Sequence, residues 1–197
     1  MSQRPGALII WHDVAAGFDA ELDAWYQRQH LPERLAVPGF RTGRRYRGTA
    51  GGPGYLALYE TATVEVLGSP AYQARLAAPT EWTRRVMPNF RNVVRSACTV
   101  EFDGGSAVGG TLAVIPFATK PTLPPLDDPA IQRVRLLRAD PGVTRVPNPE
   151  ARDRPAPDAI AEWILLAEAI SPDAAEAALA GFPRPMLFRL MCAVEPR

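Results

Sequence analysis

Tyr55-Leu56-Ala57-Leu58-Tyr59-Glu60 and Trp163-Ile164-Leu165-Leu166-Ala167-Glu168 align without a gap, and each is a short apolar run closing on a glutamate. A run of that length, bounded by turn residues, reads as a strand buried on both faces rather than as a helix. One copy lies in each half of the 197-residue chain, which points to an internal duplication. Fainter echoes flank the pair. Leu8-Ile9-Ile10-Trp11 is answered by Leu112-Ala113-Val114-Ile115, Pro38-Gly39-Phe40 by Pro141-Gly142-Val143, and Cys98-Thr99-Val100-Glu101 by Cys192-Ala193-Val194-Glu195.

Working outward, Ala7 to Trp11 is a first strand, and from Asp19 the positions Leu22, Trp25 and Tyr26 recur at helical spacing until Pro32 kinks or ends the helix. Phe40 to Arg47 alternates as a strand, with Arg41, Arg45 and Arg47 on one face and Arg44 and Tyr46 on the other. Ser69-Pro70 starts a second helix, Pro79 to Val86 is a short extra one, and Val93 to Phe102 is the last strand of the half. In the second half Asp128-Pro129 and Ser171-Pro172 each supply a cap residue followed by proline, marking two helix starts. Pro116 is expected at a strand end or a bulge. Each half is thus strand, helix, strand, strand, helix, strand: an α+β chain of two tandem ferredoxin-like βαββαβ modules whose antiparallel sheets pack as an α/β barrel. The modules are residues 1–103, carrying the candidate site, and 111–197, degenerate, joined by a glycine-rich linker over 104–110.

Composition narrows the function. With 22 basic and 21 acidic residues, the chain has no field to recruit nucleic acid or an anionic membrane. No apolar run approaches the roughly 20 residues that span a bilayer, and Ala7 to Trp11 is too short for a signal-peptide core. Two cysteines make neither a zinc constellation nor a disulfide framework, so a reduced, cytoplasmic setting is expected. There is no phosphate loop, dinucleotide fingerprint, nucleophile elbow or metal-ligand spacing; no metal and no cofactor are expected.

The run Trp25-Tyr26-Gln27-Arg28-Gln29-His30-Leu31-Pro32-Glu33-Arg34-Leu35, leading into Pro38-Gly39-Phe40 and Arg44-Arg45-Tyr46, resembles the EthD-like branch of the dimeric α/β-barrel superfamily. The resemblance covers the first half well and the second only through element order. It implies the barrel fold and, for function, a cofactor-independent enzyme of aromatic, polyketide or lactone metabolism, of monooxygenase, isomerase or cyclase type. The other functions it allows are a non-catalytic small-ligand carrier and a haem-binding barrel with His30 as axial ligand. It also implies homodimers, unless a duplicated chain closes its own barrel. Many relatives carry an acidic residue before the histidine, where this chain has Gln29.

Both histidines fall in the first half, where His12 aligns with Pro116, Asp13 with Phe117, His30 with Arg133 and Tyr59 with Ala167. The second half therefore reads as scaffold. His30 is the first candidate acid or base, since imidazole titrates near neutrality and a helix end favours its charged form. Asp13 with Tyr46 or Tyr59 could complete a cluster that moves the proton of a phenol or enol; against this, Asp13 also suits a turn. His12, alternating opposite Asp13, is expected to be exposed or packed under a loop. Trp11, Trp25, Tyr26, Gln29, Tyr72 and Trp82 are candidates to line a pocket for a small apolar or aromatic molecule, the competing reading being ordinary core. Arg41, Arg44, Arg45 and Arg47 could bind an anionic substrate, although a row of arginines on a strand is more often a solvated face or an interface, and Arg95, on the last strand of the half, is a candidate to reach the barrel mouth with Asn89 and Asn92.

Overall fold

The computed structural model describes residues 4–49, 51–124 and 127–196. Eight antiparallel strands form the body of the protein: β1 (Gly6–Val14), β2 (Phe40–Gly48), β3 (Tyr55–Thr61), β4 (Phe90–Gly105), β5 (Thr111–Phe117), β6 (Ile131–Ala139), β7 (Trp163–Ala169) and β8 (Met186–Val194). They close into one barrel in the order β1-β3-β2-β8-β5-β7-β6-β4, so the two halves repeat the same strand order. Main-chain pairing of β2 with β8 and of β4 with β6 seals both seams. The expected α/β barrel is thus observed, closed within a single chain and without an open sheet edge.

Alternation along the strands sorts the core. Ile9, Trp11, Leu56, Leu58, Ile164 and Leu166 fill the barrel, while Leu8, Ile10, Ala57 and Tyr59 face outward beneath the first-half helices. Those helices are α1 (Asp19–Trp25), α2 (Leu31–Leu35), α3 (Pro70–Ala77) and α4 (Glu81–Val86). Ser69 caps α3 through the Tyr72 N–H, and Ser171 caps α6 (Pro172–Ala178) through that of Ala174, as the two Ser-Pro pairs predict.

Pro32, expected to end or kink the first helix, does not end it. A π-helical turn over Tyr26–His30 joins α1 to α2, with the Leu31 N–H bonded to the Tyr26 carbonyl. The wider turn opens the backbone where proline removes a donor and where its ring would crowd the carbonyl four residues back.

The second half departs further from the reading of the sequence. Asp128-Pro129 starts no helix: the Asp128 carboxylate accepts the Ala130 N–H at 2.8 Å in a turn that runs directly into β6. With that helix missing, Arg133 lies on β6 and has no equivalence to His30. Pro141-Gly142 opens a single helical turn, α5 (Pro141–Thr144), after β6, whereas Pro38-Gly39 leads into β2. The first-strand echo is one residue out of step, because Ala7 faces Glu60 and Leu112 faces Glu168. Strand side chains alternate with a period of two, so this slip exchanges the faces: Leu8 packs under helices and Leu112 inside the barrel. The alignment of Tyr55–Glu60 with Trp163–Glu168 does hold in register. β4 extends into the glycine-rich segment, with Gly104 and Gly105 paired to Val134 and Arg133. Pro116 lies beyond the stretch of β5 that pairs with β8, where no donor is needed.

The conserved register has a chemical counterpart inside the barrel. Arg44 faces Leu58 and Arg135 faces Leu166, which makes them equivalents, as are Glu60 and Glu168. Arg135 donates to Glu60 at 2.7 Å and to Glu168 at 2.8 Å, while Arg44 reaches Glu60 at 3.1 Å and Glu168 at 3.4 Å. Arg44 and Arg45, expected on a solvated or interfacial face, are both buried. Arg44 joins the ion cluster inside the closed barrel, and on the outer face Arg45 is covered by the first helix, lying over the rings of Tyr26 and Tyr55 and pairing with Asp23, whereas Arg41 stays exposed.

Candidate active site between sheet and helices

The candidate site is built where the first helix crosses the outer face of β1, β3 and β4. Trp25, Tyr26, His30 and Arg34 recur at intervals of one, four and four along a helix widened by its π turn, so all four rest over the sheet. They line a cavity of about 20 Å³, with Leu8 and Ile10 of β1, Tyr59 of β3 and Phe90 and Arg95 of β4. Tyr72 of α3 and Met87 close one side. The remaining wall comes from the second half: Asn148, Glu150 and Arg154, on the segment between α5 and β7. The reading of that half as scaffold is therefore corrected. It supplies a buried carboxylate to the site.

A volume of that size matches a single water molecule, yet many polar groups surround it. His30 Nδ1, the Tyr59 hydroxyl, Arg34 Nη1, Glu150 Oε1 and Asn148 Oδ1 are all buried and make no hydrogen bond among the described residues. Buried polar atoms are otherwise almost always paired, so their convergence marks a place built to meet something polar. Arg34 and Glu150, with 2% and 3% of their side chains exposed, form an ion pair across the two halves. The Arg34 guanidinium also sits 5.7 Å from the centre of the Tyr72 ring. Arg154 pairs with Asp158 and lies over the Phe90 ring. Arg95 is buried and has no ion-pair partner among the described residues.

Electrostatics fix the protonation states. Burial, with Arg34 adding to it, holds His30 well below its ordinary value, so the ring is neutral at pH 7. The expectation of a helix-end imidazolium fails for a geometric reason: the helix continues past His30 to Leu35, and no free carbonyls face the ring. Burial raises Tyr59 and Tyr26, which stay protonated. Burial opposes charge on Arg34, but Glu150 more than offsets it and keeps the guanidinium ionised.

Of the catalytic candidates, the structure brings His30 and Tyr59 together, with ring centres 6.5 Å apart. Asp13 is elsewhere, near the end of β1, accepting the Gly54 N–H at 2.8 Å and the Asn92 amide at 2.9 Å. Tyr46 points into the barrel, on the opposite face of the sheet. Among the pocket candidates, Trp25, Tyr26, Tyr72 and Arg95 line the cavity, whereas Trp11 is barrel core and Arg44 belongs to the ion cluster. Gln29 binds Thr80 and Thr83 at 2.6 and 3.0 Å, tying the first helix to α4. Trp82 donates to Glu21 near the surface. His12 is not exposed: it is fully buried against Phe90, 4.2 Å between ring centres, and burial lowers it to about 3. Arg34, one turn beyond His30 on the same face, was legible as a site residue from spacing alone. Glu150 carried no such signal.

Such a barrel is known from other proteins. No protein-family model matches the chain, and no curated protein matches its sequence. In structure it is similar to an anthrone oxidase-like protein, with a TM-score of 0.61 at 10% identity, covering 98% of this chain and 94% of the other. A proposed monooxygenase of Fusobacterium nucleatum gives a TM-score of 0.54 at 8% identity, over 99% and 96% of the two chains. A chlorite dismutase variant from Candidatus Nitrospira defluvii gives 0.54 at 7%, over 98% and 93%. At such identities the likeness is one of fold: the α/β barrel.

Two groups can be tested against this site. Among the described residues no cluster of three or more His, Cys, Asp or Glu could hold a metal ion. In this closed arrangement the room beside His30 holds neither a porphyrin nor any other ring system. No helix among the described residues is long and apolar enough to cross a membrane.

Proposed function

We propose that the chain is an enzyme that oxidises a small enolisable or phenolic aromatic molecule, with neutral His30 as the base that takes the first proton. The observation that carries this reading is the state of His30: uncharged, buried, with Nδ1 unengaged beside a cavity ringed by polar groups. A base of lowered pKa is weak by itself. Here the arginines that depress it also stabilise the anion that forms, so proton transfer is favoured by the same field that disfavours an imidazolium. Tyr59, held protonated, is placed to donate to the substrate oxygen that gathers charge.

In the anthrone-type form of the reaction a ring CH₂ becomes C=O. Molecular oxygen supplies the new oxygen atom and accepts the electrons, and water leaves. The names of the structural neighbours, anthrone oxidase-like and monooxygenase, support an oxidative role, and the EthD-like run from Trp25 to Leu35 supplies the helix on which the proposed base sits. Oxygen uptake with anthrone tests the reading. Replacing His30 by Gln is expected to lower kcat/KM about 10²- to 10⁴-fold; an unchanged rate removes His30 from the chemistry.

A further inference from the structure

The cavity is too small for any aromatic molecule while Glu150 is in place, so how the site is filled depends on the segment that carries Glu150. That segment, residues 145–158, is a strap fixed at both ends. At one end Thr144 exchanges hydrogen bonds with the backbone of Ala97. At the other, Ala159 exchanges them with Val93 and Arg95. Between these anchors, the ion pair of Glu150 with Arg34 and the stacking of Arg154 on Phe90 are its charged holds on the first half.

A ligand that pushes the strap aside must separate Glu150 from Arg34. A neutral ligand would leave the guanidinium buried and uncompensated, which is strongly unfavourable. A ligand bearing its own carboxylate or ionised oxygen leaves Arg34 paired and lets Glu150 move into water. We propose that Glu150 is a built-in surrogate for the substrate's anionic group, occupying the Arg34 subsite until an aromatic acid displaces it, and that Arg34 thereby determines specificity for anionic aromatics. This rests on the reading of the cavity as the substrate site. A further observation supports it: Arg34 Nη1 and Glu150 Oε1 are both left without partners, so the pair is incomplete by one hydrogen bond on each side.

The test is binding rather than turnover. Trp25, whose ring centre is 4.1 Å from that of His30, reports occupancy by its fluorescence. The probes are 1-naphthoate and 1-naphthalenemethanol, alike in ring and different in charge, titrated into the full chain at pH 7.5. The wild type is expected to bind naphthoate at least about tenfold more tightly than the alcohol. Glu150→Gln, which removes the competing charge and keeps the shape, should tighten both probes about tenfold, because neither then has an ion pair to break, and should leave the preference for naphthoate in place. The double change Arg34→Met with Glu150→Met keeps a folded, uncharged wall and should erase the preference. Equal affinity of wild type and Glu150→Gln for naphthoate, or a preference that survives the double change, overturns the proposal. Because no step depends on catalysis, a His30→Gln enzyme of undiminished activity would sink the proposed reaction without touching this result.

Discussion

Lowering the pH from 7 to 5 is expected to destabilise this protein more than its carboxylates explain, and the size of the effect follows from its two histidines. Both are buried and neutral in the fold, His12 at about 3 and His30 well below 6.5. A histidine whose folded pKa is depressed contributes stability above its unfolded pKa and loses it as the pH falls below about 6.5, because only the unfolded chain then binds the proton. Between pH 7 and pH 5 a group with an unfolded value near 6.5 and a folded value near 3 accounts for about 2 kcal/mol. His30, lowered in the same sense, adds to this. With a urea dependence of about 2 kcal/mol per molar, the unfolding midpoint should drop by at least about 1 M over that interval. Urea titrations at the two pH values measure it. His12→Phe should abolish a large part of the pH response, and adding His30→Gln should remove most of the remainder. A midpoint that moves by less than about 0.5 M, or a response that survives both replacements, refutes the claim that these rings are kept neutral by burial.

Two more outcomes follow from the packing. Glu168 is 1% exposed and serves Arg135, Arg44 and the Gly109 N–H, whereas its counterpart Glu60 is 20% exposed, so by calorimetry or urea unfolding Glu168→Ala should cost about 3–5 kcal/mol, with Glu60→Ala costing distinctly less; equal costs would mean that the barrel interior is screened by solvent. At Gly43 an added Cβ would lie 3.0 Å from the Leu31 side chain and 3.3 Å from the Tyr59 ring. Gly43→Val is therefore expected to displace Tyr59 and the first helix, lowering stability by about 1–3 kcal/mol and weakening naphthoate binding; a neutral effect on both would show that this wall of the site yields easily.

The local order of strands, the two Ser-Pro helix starts and the register of Tyr55–Glu60 with Trp163–Glu168 were written in the chain, because period-two alternation, cap chemistry and proline placement act over a few residues. His30 and Tyr59 were identifiable on the same terms, as a titratable ring on a helix and an aromatic on a buried strand. Apart from Arg34, one helical turn beyond His30, tertiary structure decided which polar residues join them. Asp13 is excluded because it is engaged near the end of β1 by the Gly54 N–H and the Asn92 amide, and Tyr46 by the face of its strand, a matter of register that one residue inverts. Glu150 is included because a loop of the second half crosses to the first and brings a carboxylate to Arg34 over a sequence separation of 116 residues. Local sequence cannot encode such a meeting. It arises only when the closed barrel sets the two halves side by side and burial makes an unpaired guanidinium too costly to leave alone.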